Sequence, residues 1–234
     1  NILVFVLRKT NFLSIFMVIT IDGAAGVGKT TTAKELAKEL GYQYFDTGAM
    51  YRAVTFYFLA NEVNLQSLSD ISESLKAMNL QIDFSSGSEM ILTLDGEDIS
   101  LKIRNQEVTS YVSAVSALKE VRDLMVSFQR STTEQGNFIV EGRDIGSVVF
   151  PDAKYKFYLT ADYDIRAKRR LADFEKINEA KDINIIKKDL IIRDKYDSTR
   201  KLSPLIKPDG AIIIDTSECT IKDQVNQILK HIER

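Results

Sequence analysis

Val18-Ile19-Thr20-Ile21-Asp22-Gly23-Ala24-Ala25-Gly26-Val27-Gly28-Lys29-Thr30 carries a β-branched apolar run straight into a full match to G-x-x-x-x-G-K-[ST]. The run over 18–22 reads as a buried strand. Residues 31–40 have helical period and stop at Gly41. Strand, glycine loop and helix in that order turn several backbone N–H groups and a positive helix end toward one point, which suits the phosphates of a nucleotide. The glycines let the backbone reach the phosphate oxygens, where a side chain would stand in the way. On this reading Gly23, Ala24, Ala25, Gly26, Val27, Gly28, Lys29, Thr30 and Thr31 form a triphosphate site. Lys29 would reach the terminal phosphates, and the Thr30 hydroxyl would ligate Mg2+.

The 234 residues, 44% of them hydrophobic, can bury a full core and predict one globular domain with lobes. The net charge of −2, with both signs interspersed, lacks the basic excess of a nucleic-acid binder and the polybasic tail of a membrane-surface protein. Small anionic substrates would therefore be met by local arginines. The single cysteine, Cys219, excludes internal disulfides and fits the reducing cytoplasm; it reads as a half-buried filler. The lone His231 reads as a surface residue of the terminal helix. Residues 1–16 are apolar but broken by Arg8, Lys9, Thr10 and Asn11, so they hold no span long enough to cross a bilayer. They also lack the basic start and cleavage site of a signal peptide. Met17 is the expected biological start, with 1–16 as upstream sequence. With no heptad run and no exposed apolar helix face in the pattern, a monomer is expected.

Strand candidates at 18–22, 42–45, 138–141, 154–159 and 211–215 alternate with helical stretches. That alternation predicts an α/β fold: a five-stranded parallel sheet with helices on both faces. Leu80-Gln81-Ile82-Asp83-Phe84, Met90-Ile91-Leu92-Thr93-Leu94 and, after Asp95-Gly96, Glu97-Asp98-Ile99 break it. They read as a small antiparallel meander with a tight hairpin, an inserted lobe inside one continuous domain. Further helices are expected over 108–116, 118–135, 164–175, 185–196 and 221–232.

A P-loop alone does not separate switches, motors and kinases. An N-K-x-D base-reading motif and a D-x-x-G switch are both lacking, which argues against a GTPase. Arginines instead stand in loops beyond predicted strands: Arg52 after Phe45-Asp46-Thr47-Gly48-Ala49-Met50-Tyr51, and Arg143 after Phe138-Ile139-Val140-Glu141-Gly142. In an open α/β sheet those strand ends are where ligands lie. Arg166, Arg169 and Arg170 cluster on one helix, and Arg193 and Arg200 flank Asp197 on the next. Transfer of a phosphoryl group to another phosphate needs little acid–base help, because the attacking oxygen is already ionised. It needs two polyanions brought together and charge neutralised, which guanidinium forks do well.

Several blocks resemble bacterial cytidylate kinases in collinear order from Val18 onward. They are Asp46-Thr47-Gly48-Ala49-Met50-Tyr51-Arg52, Asp95-Gly96-Glu97-Asp98-Ile99, Ile103-Arg104-Asn105-Gln106-Glu107-Val108, Glu141-Gly142-Arg143-Asp144-Ile145-Gly146, Val148-Val149-Phe150-Pro151-Asp152-Ala153 and Arg193-Asp194. The resemblance implies a nucleoside monophosphate kinase domain over 17–234, with an inserted nucleotide-binding lobe at about 61–118 and a short lid at about 162–184. It implies transfer from ATP, with Mg2+, to CMP or dCMP. Carried over by position, Thr47, Ser113, Arg122 and Asp144 resemble the residues that read cytosine. Arg52 and Arg143 resemble the grip on the acceptor phosphate, Arg193 and Asp197 the sugar contacts, and Arg200 a residue near the base. Arg166 and Arg170 fall in the lid helix, so Lys29, Arg143, Arg166 and Arg170 are the implied catalytic set. Asp46 either orients metal-bound water or caps a strand end. Ala24 stands where the family often has Pro, Thr47 where it often has Ser, and Glu141 where Asp is frequent.

Two rival readings are another small P-loop kinase, for UMP, AMP or shikimate, and a nucleotide-binding regulatory module without catalysis. The meander with Asp144 and Arg122 argues against the first. The intact set Lys29, Thr30, Arg52 and Arg143 argues against the second.

Overall fold

The computed structural model describes residues 16–84, 90–134, 136–176 and 180–232. Of the expected upstream segment, 1–15 lie outside the described residues, as do the expected helix end at 135 and 177–179 of the expected lid.

β1 (Val18–Gly23) alternates faces, as a strand must. Ile19 and Ile21 enter a cluster with Ala33 and Leu36 of α1 (Lys29–Leu40) and with Val225 and Ile228 of α8 (Ile221–Leu229). Thr20 and Asp22 point to the opposite layer. In β6 (Phe138–Gly142), Ile139 joins the first cluster, whereas Phe138 and Val140 join a second with Met50, Val54 and Met125. Those last residues come from α2 (Thr47–Ala60) and α5 (Lys119–Thr133). Both faces of the sheet are therefore covered, and its strands read as nearly continuous apolar runs.

The main sheet adds β2 (Gln43–Asp46), β7 (Tyr155–Thr160) and β8 (Ile212–Asp215) in the parallel order β2-β6-β1-β7-β8. The five strands and their two helical layers agree with the sequence expectation. The chain leaving β1 passes β6 to reach β2, while the chain leaving β6 crosses β1 to reach β7. That reversal opens a crevice at the carboxyl ends of β1 and β6. The register pairs Asp22 with Gly142, so the P-loop and the Arg143–Asp144 segment leave the sheet side by side.

The meander is also present: β3 (Leu80–Asp83), β4 (Ile91–Leu94) and β5 (Glu97–Asp98) form an antiparallel sheet. Asp95 and Gly96 turn its hairpin with φ of 52° and 85°, the positive pair that Asp-Gly turns favour.

Three features depart from the sequence reading. α2 and α3 (Leu68–Ala77) occupy a region with no expected helix. α2 starts without a linker at the end of β2, capped by Asp46, and buries Ala49, Met50, Ala53, Val54 and Phe58, so no polar stripe marks its period. Arg52 therefore sits on a helix and not in a loop. α4 (Gln106–Val115) begins earlier than expected because the Asn105 side chain caps it, accepting from the Val108 N–H at 2.8 Å. Finally, Ile145–Val149 forms one wide π turn, a form often found at functional sites.

Gly23 shows how tightly the crevice is built. Its φ is +149°, and a Cβ there would lie 2.4 Å from the Leu159 carbonyl oxygen across the β1–β7 pairing. Gly23→Ala is expected to destabilise the fold by about 3 kcal/mol or more through strain and backbone clash. Chemical denaturation checks this, and an unchanged midpoint would refute it.

Candidate active site

One cleft at the ends of β1, β2 and β6 gathers most of the expected residues. The P-loop side contributes Ala25, Gly26, Lys29 and Thr30. The facing walls contribute Thr47, Arg52, Ser113, Arg122, Arg143 and Asp144. α6 (Tyr163–Glu175) adds Arg170, and α7 (Ile183–Thr199) with its C-cap adds Arg193, Asp197 and Arg200.

The loop ends in Gly28, which caps α1 in the left-handed conformation at φ 92°. Buried Lys29 donates to the Ala24 carbonyl at 2.7 Å, folding its ammonium back over the loop. Burial, followed by the Arg143 charge, lowers its pKa, while Glu141 and Asp22 oppose the shift. Glu141, at the end of β6, accepts from the Tyr44 hydroxyl at 2.5 Å. Burial and then the Asp46 carboxylate raise its pKa. Asp46 caps α2 through Oδ1, accepting from the Ala49 N–H at 2.9 Å, and its Oδ2 lies 3.5 Å from Arg104. Asp46 thus caps the start of α2 and not a strand end.

Hard oxygen donors converge here: the exposed Thr30 hydroxyl, Asp46 and Glu141. That set suits Mg2+. Among the described residues, no group of three or more His, Cys, Asp or Glu could hold an ion. The ion would therefore complete its shell with phosphate oxygens and water, the usual arrangement for Mg2+.

Across the cleft lies a row of cations. Arg52 donates to the Thr109 hydroxyl at 2.9 Å, and burial, against the pull of Asp46, leaves its pKa at about 10. Burial, then Arg143, pushes Arg193 down to about 9, still fully charged at neutral pH. Arg143 and Arg193 share one carboxylate, Asp197, at 3.3 and 3.9 Å. After burial, Arg104, Arg170 and Arg143 help lower Arg52, and Arg143, Arg52 and Arg170 help lower Arg193, so a polyanion entering the cleft would meet charge that the protein leaves poorly neutralised.

Deeper in, Asp144 is 3% exposed and pairs with buried Arg122, with Arg200 4.0 Å away. Burial raises the Asp144 pKa, and Arg122 and then Arg200 oppose it. Arg122 also reaches the Ser116 carbonyl at 3.3 Å and lies over the Tyr51 ring at 5.5 Å. Thr47 spends its hydroxyl proton on the Glu141 carbonyl at 2.7 Å. The result is a pocket in which donors and acceptors hold fixed directions.

Comparison with known proteins fits this geometry. A family model described as cytidylate kinase matches residues 19–234. The chain belongs to the cytidylate kinase family. A cytidylate kinase of Fusobacterium nucleatum subsp. nucleatum is 44% identical over 218 residues, 93% of this chain and 98% of that one. Another, from Caldanaerobacter subterraneus subsp. tengcongensis, is 42% identical over 216 residues, 92% of this chain and 94% of that one.

Not every residue implied by the family resemblance lies on the cleft. Arg166 is buried behind it: Nε donates to the Ala25 carbonyl at 2.7 Å, and the fork takes Asp194 at 2.6 and 2.9 Å. Ala24 and Val27 line the same neighbouring depression as Arg166. Thr31 is exposed on α1 outside the cleft, and Gly23 and Gly28 serve the backbone path. Arg166 thus ties the P-loop to α7. Arg166→Ala is expected to raise the KM for ATP about tenfold or more, the loss of charge-assisted hydrogen bonds, with the KM for CMP nearly unchanged. Equal rises in both would refute the tie.

Two arginines to which the sequence reading gave no individual role, Arg104 and Arg169, also lie near this row of cations. Arg104 lines the cleft opposite Asp46. It is the last residue of a short 3-10 turn, Lys102–Arg104, and no periodicity marks it. Arg169 donates to the Thr216 carbonyl at 2.6 Å and lies 3.5 Å from the Gly26 carbonyl, bracing the loop from outside. Its clustering with Arg166 and Arg170 was the available signal.

Proposed function

We propose that the chain transfers the γ-phosphoryl group of ATP to CMP or dCMP, giving ADP and CDP or dCDP. The observation that carries this reading is the shared cleft, with Lys29 and the P-loop on one side, the Asp144–Arg122 pair on the other and arginines between. Lys29 and the loop amides bind the donor phosphates, and Thr30 with Glu141 and Asp46 hold Mg2+. When bound, the ion neutralises charge on the donor phosphates. Arg52 and Arg143 grip the acceptor phosphate, and Arg143 with Arg170 balances charge on the transferred group.

In the base pocket, Asp144 accepts from the exocyclic amine of cytosine, and Arg122 donates to the ring. Thr47, its proton already committed, can only accept, and Ser113 lines the same cleft. Uracil would leave Asp144 without its donor, and a buried unpaired polar group strongly disfavours a substrate. Arg193 and Asp197 face the sugar, and Arg200 approaches the base. In this reading the segment at about 61–118 is the nucleotide-binding lobe, and the lid at about 162–184 serves the ATP phosphates. The reading includes a monomer working in the cytoplasm, in keeping with a single half-buried cysteine.

Coupled ADP release with Mg2+-ATP and CMP, dCMP, UMP, AMP or shikimate tests it. Turnover led by CMP and dCMP is expected. Turnover led by another acceptor would keep a kinase and discard the pocket, and none with intact ATP binding would discard the kinase.

A further inference from the structure

Asp22 is fully buried near the end of β1, and among the described residues its hydrogen-bond partners are backbone amides. Its two oxygens take two successive backbone donors: Oδ1 from the Ile145 N–H and Oδ2 from the Gly146 N–H, both at 2.7 Å. Those amides open the π turn that follows Arg143 and Asp144. The turn lies close against β1, since a Cβ on Gly146 would come within 2.8 Å of the Thr20 hydroxyl. Asp22 is also bonded to Gly23, the first P-loop residue. One carboxylate therefore joins the root of the phosphate loop to the segment carrying the acceptor-side Arg143 and Asp144.

We infer that Asp22 is a positioning residue: its bidentate grip on the Ile145 and Gly146 amides sets the Arg143–Asp144 segment for the acceptor nucleotide. The inference rests on the reading of Arg143 and Asp144 as acceptor-site residues. The placement is energetically uphill for the carboxylate. Burial drives its pKa up to about 6; the two amides lower it, Asp144 raises it further, and Lys29 lowers it. A buried charge kept under those conditions and spent on two loop amides points to the geometry it enforces. An amide side chain has one acceptor oxygen and an NH2 group, so Asp22→Asn would hold one N–H and oppose the other.

The experiment is steady-state kinetics and calorimetric titration of the unaltered chain and Asp22→Asn, with CMP and ATP varied separately. The variant is expected to weaken CMP, in both Kd and KM, about tenfold or more, the loss of one charge-assisted hydrogen bond. ATP affinity should stay within about threefold, and the Asn substitution removes a buried charge, so folding should hold. Equal weakening of both nucleotides, or no change in CMP, overturns the positioning role. An unaltered chain that fails to bind CMP overturns the acceptor-site reading and the clamp with it. Should the Asn variant not fold, hydrogen exchange on the unaltered chain decides. Ile145 and Gly146 amides protected as well as those of β1 support the clamp, and rapid exchange at both overturns it.

Discussion

Lys29→Ala is expected to lower kcat about a thousandfold with every acceptor, roughly 4 kcal/mol of transition-state stabilisation, since each factor of ten is about 1.4 kcal/mol. In the structure the ammonium already hangs over the loop on the Ala24 carbonyl, aimed at the ground a triphosphate would occupy. The loss should not come from unfolding. Burial and the Arg143 charge hold the Lys29 pKa down at about 7, against 10.5 for an ordinary lysine. The unfolded chain thus binds more protons than the folded one across that window, so stability without nucleotide should rise as pH climbs from about 7. Alanine removes that rise. Thermal unfolding at pH 7 and pH 9 checks it: the midpoint difference between the two should be smaller in the variant. Turnover surviving within tenfold would remove Lys29 from the reaction.

Asp144→Ala is the second large effect, and here the fold changes what a mutagenesis result would mean. As a reader of cytosine, Asp144 should lower kcat/KM for CMP and dCMP by a factor of about 10³ or more, with UMP much less affected. Asp144 is also the partner of buried Arg122. Its removal leaves a charge without a counterion, at a cost of about 3 to 5 kcal/mol of stability. The two effects separate by measurement: acceptor-dependent loss in steady-state kinetics reports recognition, and the shift in denaturation midpoint reports the orphaned arginine. A uniform loss across CMP, UMP and AMP would refute base reading whatever happens to stability.

The parts of this site legible in the sequence share one property: each is local. Gly23 to Thr30 is a contiguous motif whose spacing dictates loop and helix, and the structure builds α1 from Lys29 as that spacing requires. The five core strands were legible because both faces of a parallel sheet are buried, which leaves unbroken β-branched runs such as Val18-Ile19-Thr20-Ile21. α2 was not, because a helix buried on nearly all sides carries no polar stripe to reveal its period. The sequence pattern therefore reads as a loop at Arg52, which stands instead on α2 with its guanidinium on the Thr109 hydroxyl.

Partnership is what sequence could not supply. That Arg166 faces Ala25 and Asp194, Arg143 reaches Asp197, and Asp22 holds the amides of Ile145 and Gly146 are all contacts between separate segments of the chain. Sequence alone determined the α/β class, the phosphate loop and the residue types available for phosphoryl transfer, because those follow from local periodicity and contiguous spacing. Only the tertiary structure decided which arginines face the cleft and which brace it from behind. A guanidinium's role depends on the carboxylate or carbonyl that meets it, and the fold brings the Ala25 carbonyl to Arg166 across 141 residues of chain and Asp197 to Arg143 across 54.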